Sequence, residues 1–339
     1  PLTITTATFQ LEGPGAVAIP GTVAYDPINF IATFTPSSNL ATGTTYTATI
    51  TAGATDLAGN PLAAGVAPNP WTFTTAAAVL PAVDLGTAAT FGTVGGGAGM
   101  TNQGILTVIN GDIATTGAST LVTGFHDNTV AGTPPPCSYT QTPLNKGTVN
   151  GGIYTAPPPP TVGCPSEGTS VTATIATHAA ADALTAYNAT SAISMPCSAF
   201  CAQAGELGGL TLAPGIYTSA PGTFSITNGN LTLDAQGNPN AFWVFQMATT
   251  LTVGVAGPTG AKSVILINGA QAKNVFWHVG SAATINAAGG GTMVGTILAP
   301  AAITFSTAGN VVLTVLNGRA LALAASVTMV NTVITVPAP

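Results

Sequence analysis

The chain has 339 residues and a formal net charge of −6, and only 4% of its residues are charged. An average soluble domain carries roughly 25% charged residues, so the surface of this protein is expected to be largely neutral. Its four basic residues are scattered, and nucleic-acid binding requires clustered cations. We therefore exclude a nucleic-acid partner. No unbroken apolar run reaches about eighteen residues, which argues against a membrane span.

Residues 1–78 show the period-two alternation of β-strands. Alternating segments occur at Leu2–Ile4, Thr8–Leu11, Ile31–Phe34 and Tyr46–Ile50, separated by turn clusters. This pattern predicts an antiparallel β-sandwich. The segments Ala32–Pro36, Thr44–Thr47, Asp56–Pro61 and Trp71–Thr75 resemble the bacterial Ig-like modules of surface adhesins. The resemblance implies a truncated module, so we expect a fragment of a longer protein, with residues 79–83 as a linker.

Residues 84–339 contain spaced copies of two short units. Leu106–Gly111 and Leu313–Gly318 are nearly identical strands that end in Asn-Gly, and Phe242–Met247 and Val275–Val279 are aromatic strands. Asn-Gly favours turns with positive φ, and repeated strand–turn–strand units predict a solenoid. The two distant hexamers become spatial neighbours if the first coil joins the last.

An insertion separates the first coil from the later ones. Residues 131–165 are rich in proline and are expected to form an irregular, extended loop. Thr169 or Ser170 then caps a predicted helix over about residues 170–193. The expected apolar stripe of this helix is Val171, Ile175, Ala179, Ala183 and Tyr187.

The chain has four cysteines, Cys137, Cys164, Cys197 and Cys201. None of the three histidines lies near a cysteine pair at the sequence spacing that a zinc site requires. We therefore expect disulfides in an exported protein, and neither a metal nor a cofactor. Three pairings are open. The favoured one joins Cys137 to Cys164 across the proline-rich insertion and Cys197 to Cys201 across a turn.

The acidic residues of the second domain form no evident catalytic pair. Asp112 and Asp234 lie beside turns and are predicted to bond local backbone groups. His278 lacks an evident acid or nucleophile partner, and Trp243 and Trp277 occupy repeated apolar strands that are typical of a core. We expect a protein that is not an enzyme. A polysaccharide-degrading β-helix enzyme, which would need paired carboxylates, is a less favoured alternative.

Polar side chains recur at one place in successive coils. The runs Thr249–Thr252, Ala283–Asn286, Ile303–Ser306 and Ser326–Met329 are aligned with one another in this prediction. Strand alternation then directs Leu251, Ile285 and Phe305 inward. The outward residues are Thr250, Thr252, Thr284, Asn286, Thr304 and Ser306. Threonine is also a common exposed strand residue, but the scarcity of Lys and Glu favours a dedicated surface.

Residues from about 84 to 336 resemble the microbial ice-binding proteins. The segments that carry the resemblance are Thr101–Gly104, Val108–Asp112, Leu184–Asn188, Glu206–Tyr217, Asn240–Gln246, Ile267–Trp277 and Asn317–Ala322. The family implies a mainly β fold, a three-faced right-handed β-helix with one long flanking α-helix. It also implies that the first and last coils are neighbours and that residues 131–165 form a cap.

The resemblance further implies ice binding by a flat face with a Thr-Ala/Gly-x-Thr/Asn pattern. Thr307–Asn310 matches this pattern in full, and Thr116–Ser119 matches with Ser last. The candidate ice-binding residues are Thr101, Thr116, Thr250, Thr252, Thr284, Asn286, Thr304, Ser306, Thr307 and Asn310.

The expected partner is an ice crystal surface, bound by a secreted or cell-surface monomer that can carry further Ig-like modules in the same chain. The expected effects are thermal hysteresis and inhibition of ice recrystallisation. The protein could act as the tip of an ice adhesin. The alternatives are a cell-surface adhesin that binds glycan or protein and a purely structural stalk.

Overall fold

The structure is a computed structural model. It describes residues 3–40, 44–63, 69–75, 83–128, 137–193, 202–255, 257, 260–307 and 311–338. The chain divides into two compact units, Pro1–Pro81 and Ala82–Pro339. Cys197, Cys201, Asn310 and most of the predicted linker lie outside the described residues.

The first unit is built from antiparallel strands. They are β1 (Phe9–Gly13), β2 (Val17–Ala18), β3 (Gly21–Asp26), β4 (Ile31–Pro36), β5 (Thr45–Ile50) and β6 (Trp71–Thr74). One sheet has the order β2-β1-β5-β6, and β3 pairs with β4. Its core contains Phe9, Leu11, Tyr46 and Ala48. This unit is an Ig-like β-sandwich.

The predicted first strand, Leu2–Ile4, is wrong in its described part, Thr3 and Ile4, which is turn and irregular chain. Here the Thr3 hydroxyl, rather than the backbone, forms the hydrogen bonds to the neighbouring segment. It accepts a hydrogen bond from the Thr55 N–H at 2.9 Å and donates one to the Thr55 carbonyl at 3.1 Å.

In its described residues the second unit contains one α-helix, α1 (Ser170–Ala192), and many short strands. The strands are β7 (Phe91–Gly95), β8 (Met100–Asn102), β9 (Val108–Asn110), β10 (Asp112–Ala118), β11 (Val122–Thr123), β12 (Phe125–Asp127), β13 (Ser138–Tyr139), β14 (Gly147–Val149), β15 (Ile153–Ala156), β16 (Ala202–Gln203), β17 (Thr211–Leu212), β18 (Gly215–Ser219), β19 (Phe224–Ile226), β20 (Leu231–Asp234), β21 (Trp243–Met247), β22 (Leu251–Val253), β23 (Val264–Ile267), β24 (Val275–Val279), β25 (Ala283–Ile285), β26 (Thr292–Ala299), β27 (Ile303–Phe305), β28 (Thr314–Ala322), β29 (Val327–Met329) and β30 (Thr332–Thr335). Among the described helices, none combines the length and hydropathy that a bilayer crossing requires.

These strands form a three-faced β-helix. The threonine face is the seven-stranded sheet β11-β8-β29-β27-β25-β22-β19. The helix-covered face contains β16, β18, β21 and β24, the second halves of β26 and β28, and β7, β10 and β15. The third face contains β12, β14, β9 and β30 with the first halves of β28 and β26, and it continues as β23, β20 and β17.

The first coil of the second unit packs beside the last, as the sequence predicts. Strand β7 pairs with β28, β8 with β29 and β9 with β30. The duplicated hexamers therefore lie close together. Asn110 of the first copy pairs with Thr335, and Thr335 pairs in turn with Asn317 of the second copy.

Aromatic side chains fill the interior of the solenoid. Trp243 and Trp277 have no exposed surface, which confirms their assignment to the core. The rings of Phe245 and Trp277 stack with centroids 4.1 Å apart. Coils are therefore held in register by stacked apolar side chains.

Helix α1 lies against the helix-covered face. Thr169 and Thr172 form a capping box, and the Thr172 hydroxyl also donates to the Thr155 carbonyl at 2.7 Å. The predicted stripe is partly wrong, because Val171 is 67% exposed. The buried positions are Thr172, Ala176, Ala179, Ala183, Ala186 and Thr190. Small side chains face the sheet because they let the helix approach it closely.

The capping segment is more regular than predicted. Three short strands, β13, β14 and β15, lie within residues 131–165, because they extend the sheets of the solenoid. A disulfide joins Cys137 to Cys164. Beside it, the Tyr139 hydroxyl donates to the buried Glu167 carboxyl. Burial, and then the hydrogen bond with Asp127, raises the pKa of Glu167 to about 8.

Candidate functional site

Each strand of the threonine face presents one side chain outward, and these side chains form a single column. We call this column the threonine ladder. Its members, in spatial order, are Thr123, Thr101, Thr328, Thr304, Thr284, Thr252 and Ser225. Every ladder residue is partly exposed, and nearly every neighbour on its strand is buried. Six threonines and one serine thus occupy equivalent positions in seven adjacent strands.

The strands of the ladder are parallel, so its spacing is regular. Neighbouring strands in a sheet lie about 4.8 Å apart, and seven strands therefore span about 29 Å. On each side of Thr304, Ile303 and Phe305 have no exposed surface. This packing holds the strand backbone from behind, and β-branched threonine has few rotamers. The hydroxyl and methyl groups form a rigid array.

A second column runs beside the ladder, two residues before each ladder residue and just ahead of the first residue of each strand. Its members are Leu121, Gly99, Ser326, Ala302, Ala282, Thr250 and Thr223. Apart from Leu121 at one end, these side chains are small, so they leave the ladder unobstructed. Neither column contains a charged residue. The surface is flat, neutral and periodic, and it suits a regular extended partner.

Two predicted outward residues, Asn286 and Ser306, are buried, so the prediction is wrong for them. Each is 1% exposed, with φ of 46° and 58° respectively. This left-handed conformation turns the chain from the threonine face toward the third face, and the side chain then points inward. The Asn286 carboxamide bonds both the N–H and the carbonyl of Lys262 at 2.9 Å. The side chain of Asn286 therefore holds a corner together.

The predicted alignment of Thr249–Thr252 with Ala283–Asn286 is wrong by two residues. Thr252 pairs with Thr284, and Leu251 pairs with Ala283. A shift of two residues leaves the inward and outward alternation unchanged. The pattern alone therefore could not distinguish the two registers.

The other sequence candidates fall in different places. Thr101, Thr252, Thr284 and Thr304 lie together in the ladder, and Thr250 is in the second column. Thr307 is exposed at a corner, where its hydroxyl donates to the Ala287 carbonyl at 2.7 Å. Thr116 is exposed on β10, outside the threonine face. Asn310 is not among the described residues.

Sequence reasoning missed three ladder members, Thr123, Ser225 and Thr328. A signal for them does exist. Most ladder residues are the centre of an apolar–hydroxyl–apolar triad, such as Phe-Ser-Ile at 224–226 and Val-Thr-Met at 327–329. A search for this triad rather than for four-residue runs identifies Ser225 and Thr328, and finds Thr123 in a weaker form.

The ladder ends at Ser225, whose hydroxyl is already engaged. It donates to the Glu206 carboxylate at 2.9 Å, and Thr227 donates to the same carboxylate. Burial raises the pKa of Glu206, but the hydrogen bonds from Thr227 and Ser225 outweigh it and keep this pKa below the ordinary value. Glu206 therefore fixes the last strand of the face.

The residues considered for catalysis have structural partners. Asp112 accepts from the Thr90 hydroxyl and the Gly152 N–H, at 2.7 and 2.8 Å. Asp234 accepts from the Gln236 N–H and the Asn268 amide, each at 2.8 Å. The His278 ring stacks on Tyr187, with centroids 4.1 Å apart, and burial lowers its pKa. These contacts tie loops and helix α1 to the solenoid.

Comparison with known proteins agrees with this architecture. The family model described as "Ice-binding-like" matches residues 94–335. The chain belongs to the ice-binding-like family. The "Bacterial Ig-like domain" model matches residues 1–75, and all ladder residues lie within the ice-binding-like match.

Several members of the ice-binding-like family are similar to this chain. An ice-binding protein of Nostoc sp. (strain HG1) is 35% identical over 245 residues, which cover 72% of this chain and 71% of that protein. The crystal structure of an ice-binding protein from Antarctomyces psychrotrophicus matches with a TM-score of 0.55 and 31% identity, over 76% of this chain and 100% of that one. An ice-binding protein domain from Shewanella frigidimarina shares the fold at 24% identity and a TM-score of 0.59, over 76% and 98% of the two chains.

Proposed function

We propose that this protein binds ice through the threonine face, without catalysing a reaction. The observation that carries the proposal is the ladder of six threonines and one serine at matched positions in seven strands. Membership of the ice-binding-like family supports it, since relatives in that family are named ice-binding proteins.

The chemistry of the face suits a crystal rather than a small molecule. Ice offers a repeating lattice with no unique functional group, so affinity must come from many weak contacts made in register. Threonine hydroxyls can hold ordered water, and such water-mediated contacts are nearly as favourable as direct ones. The methyl groups and the small neighbours in the second column cover the gaps between these waters.

Freezing is then opposed by pinning of the ice front. A rigid face of about 29 Å makes its contacts simultaneously, so dissociation requires that all of them break together. Ice grows only between bound molecules and becomes curved, which lowers the freezing point. The same pinning slows the growth of large crystals from small ones.

We further propose that the protein acts outside the cell, as the tip of an ice adhesin. The Ig-like unit and the Cys137–Cys164 disulfide support an extracellular location. The second candidate function is adhesion to a cell-surface glycan or protein, which the Ig-like unit favours equally.

The test is ice affinity of the full chain with a fluorescent label. We expect the labelled protein to enter a growing ice hemisphere and Thr284→Tyr to be excluded from it. Thr185→Tyr is the matched control, because Thr185 is exposed on helix α1. Exclusion of the unmodified chain would overturn ice binding, and normal entry of Thr284→Tyr would overturn the assignment of the face.

A further inference from the structure

A cavity of about 470 Å³ opens at the corner between the third face and the helix-covered face. Val83 and Leu85 form one wall ahead of β7, Phe276 of β24 forms another, and Val336 and Pro337 close it behind β30. The walls are therefore mainly apolar. The volume lies within the range of ligand pockets, about 300–1,000 Å³.

Two of the four basic residues of the chain, Lys273 and Arg319, line this cavity. Arg319 is 5% exposed. Its Nε and Nη2 donate to the Ala89 carbonyl at 2.9 and 2.6 Å, which leaves three of its five N–H groups. None of the lining residues is acidic. Burial lowers the pKa of Arg319 to about 10, with no contribution from a carboxylate of the described residues.

A buried charge is costly unless an opposite charge accompanies it. The chain has ten acidic residues, yet this cavity is lined by two basic residues and by no acidic residue. Guanidinium groups bind carboxylates through two parallel N–H donors. We propose that this cavity binds a small carboxylate with an apolar body, such as a medium-chain fatty acid anion.

In this arrangement the carboxylate lies on the guanidinium of Arg319, and the hydrocarbon covers Phe276, Leu85 and Val336. Lys273 adds positive charge beside the carboxylate. The corner is the one opposite the threonine face, so the bound anion does not touch the ladder. The proposal is therefore independent of ice binding.

The experiment is calorimetric titration of the full chain with sodium octanoate. Octan-1-ol has the same hydrocarbon without the charge, and acetate has the charge without the hydrocarbon. We expect octanoate to bind at one site at least about tenfold more tightly than either. Equal binding of octanoate and octanol would overturn the proposal.

Variants locate the site. Arg319→Met keeps the apolar stem and removes the charge, and we expect it to weaken octanoate binding about tenfold. Because Arg319 also holds the Ala89 carbonyl, Lys273→Met is a second variant, with a smaller expected loss. Lys262→Met, outside the cavity, is the matched control. Octanoate binding that is unchanged in Lys273→Met, or equally weakened in Lys262→Met, would contradict the site.

Discussion

Thr101, in the first coil of the solenoid, lies directly beside Thr328, in the last. More than two hundred residues separate them in the sequence. Their pairing joins two strands of the threonine face that come early in the chain, β8 and β11, to the five strands that come later. The threonine ladder is continuous only because this one junction is in register.

The effect of a bulky residue should depend on its position along the ladder. Thr304 is the fourth of seven positions and Thr123 is at one end. We expect Thr304→Tyr to reduce thermal hysteresis about tenfold, since central contacts dominate a flat interface, and Thr123→Tyr to retain most of it. Hysteresis at equal concentrations, with circular dichroism as the folding control, measures this. Equal losses at both positions would argue against one cooperative face.

The clamp between the first and last coils should be important for stability. The Asn331 carboxamide oxygen accepts from the N–H groups of Ile105 and Leu106, at 3.1 and 3.0 Å. Asn331 has a φ of 46°, so Asn331→Gly keeps the backbone conformation and removes the side chain that forms the clamp. We expect a loss of about 2–3 kcal/mol in the free energy of unfolding, measured by urea denaturation. A loss below about 0.5 kcal/mol would fall within ordinary surface effects and would contradict the clamp.

The capping segment should lose stability as the pH rises. The pKa of Glu167 is about 8 in the folded protein, against an ordinary 4.5. The folded state therefore holds the proton more tightly, so this stabilisation is complete below about pH 4.5 and decreases up to about pH 8. We expect Tm to fall by about 5 °C over this interval. Glu167→Gln is the control, because its amide mimics the protonated carboxyl. If the Tm of the unmodified chain and the Tm of this variant fall in parallel with pH, Glu167 is not the source of the pH dependence.

The contact of helix α1 with the sheet should tolerate only small side chains. Ala183 has no exposed surface, whereas Ala181 on the same helix is exposed. We expect Ala183→Leu to reduce the free energy of unfolding by about 1–3 kcal/mol, because the helix must move away from the sheet. Ala181→Leu, the matched control, should change it by less than about 0.5 kcal/mol. Calorimetry of the two variants tests this, and similar values for both would show that the helix does not pack closely.

Several elements could be predicted from local sequence because their causes are local. Thr169 caps helix α1 through its own hydroxyl and that of Thr172, and both residues are within one turn. Trp243 and Trp277 occupy copies of one aromatic strand, and repetition alone indicated that they share an environment. Of the three cysteine pairings that the sequence leaves open, the disulfide between Cys137 and Cys164 agrees with the favoured one.

The helix stripe and the corner residues could not be predicted in this way. Val171 is more apolar than Thr172, yet Thr172 is buried because the Thr155 carbonyl supplies a partner for its hydroxyl. Asn286 continues the alternation of its strand in sequence, but its left-handed backbone reverses the direction of its side chain. In both cases the deciding group lies elsewhere in the chain.

The sequence by itself determined that this protein is a neutral solenoid with threonine at outward strand positions. Alternation and repetition depend on residues close together in the chain, so they can be read from it directly. Only the tertiary structure decided which threonines share a column. A strand register that shifts by two residues preserves alternation, and stacking between coils alone selects the pairing of Thr252 with Thr284 and of Thr101 with Thr328.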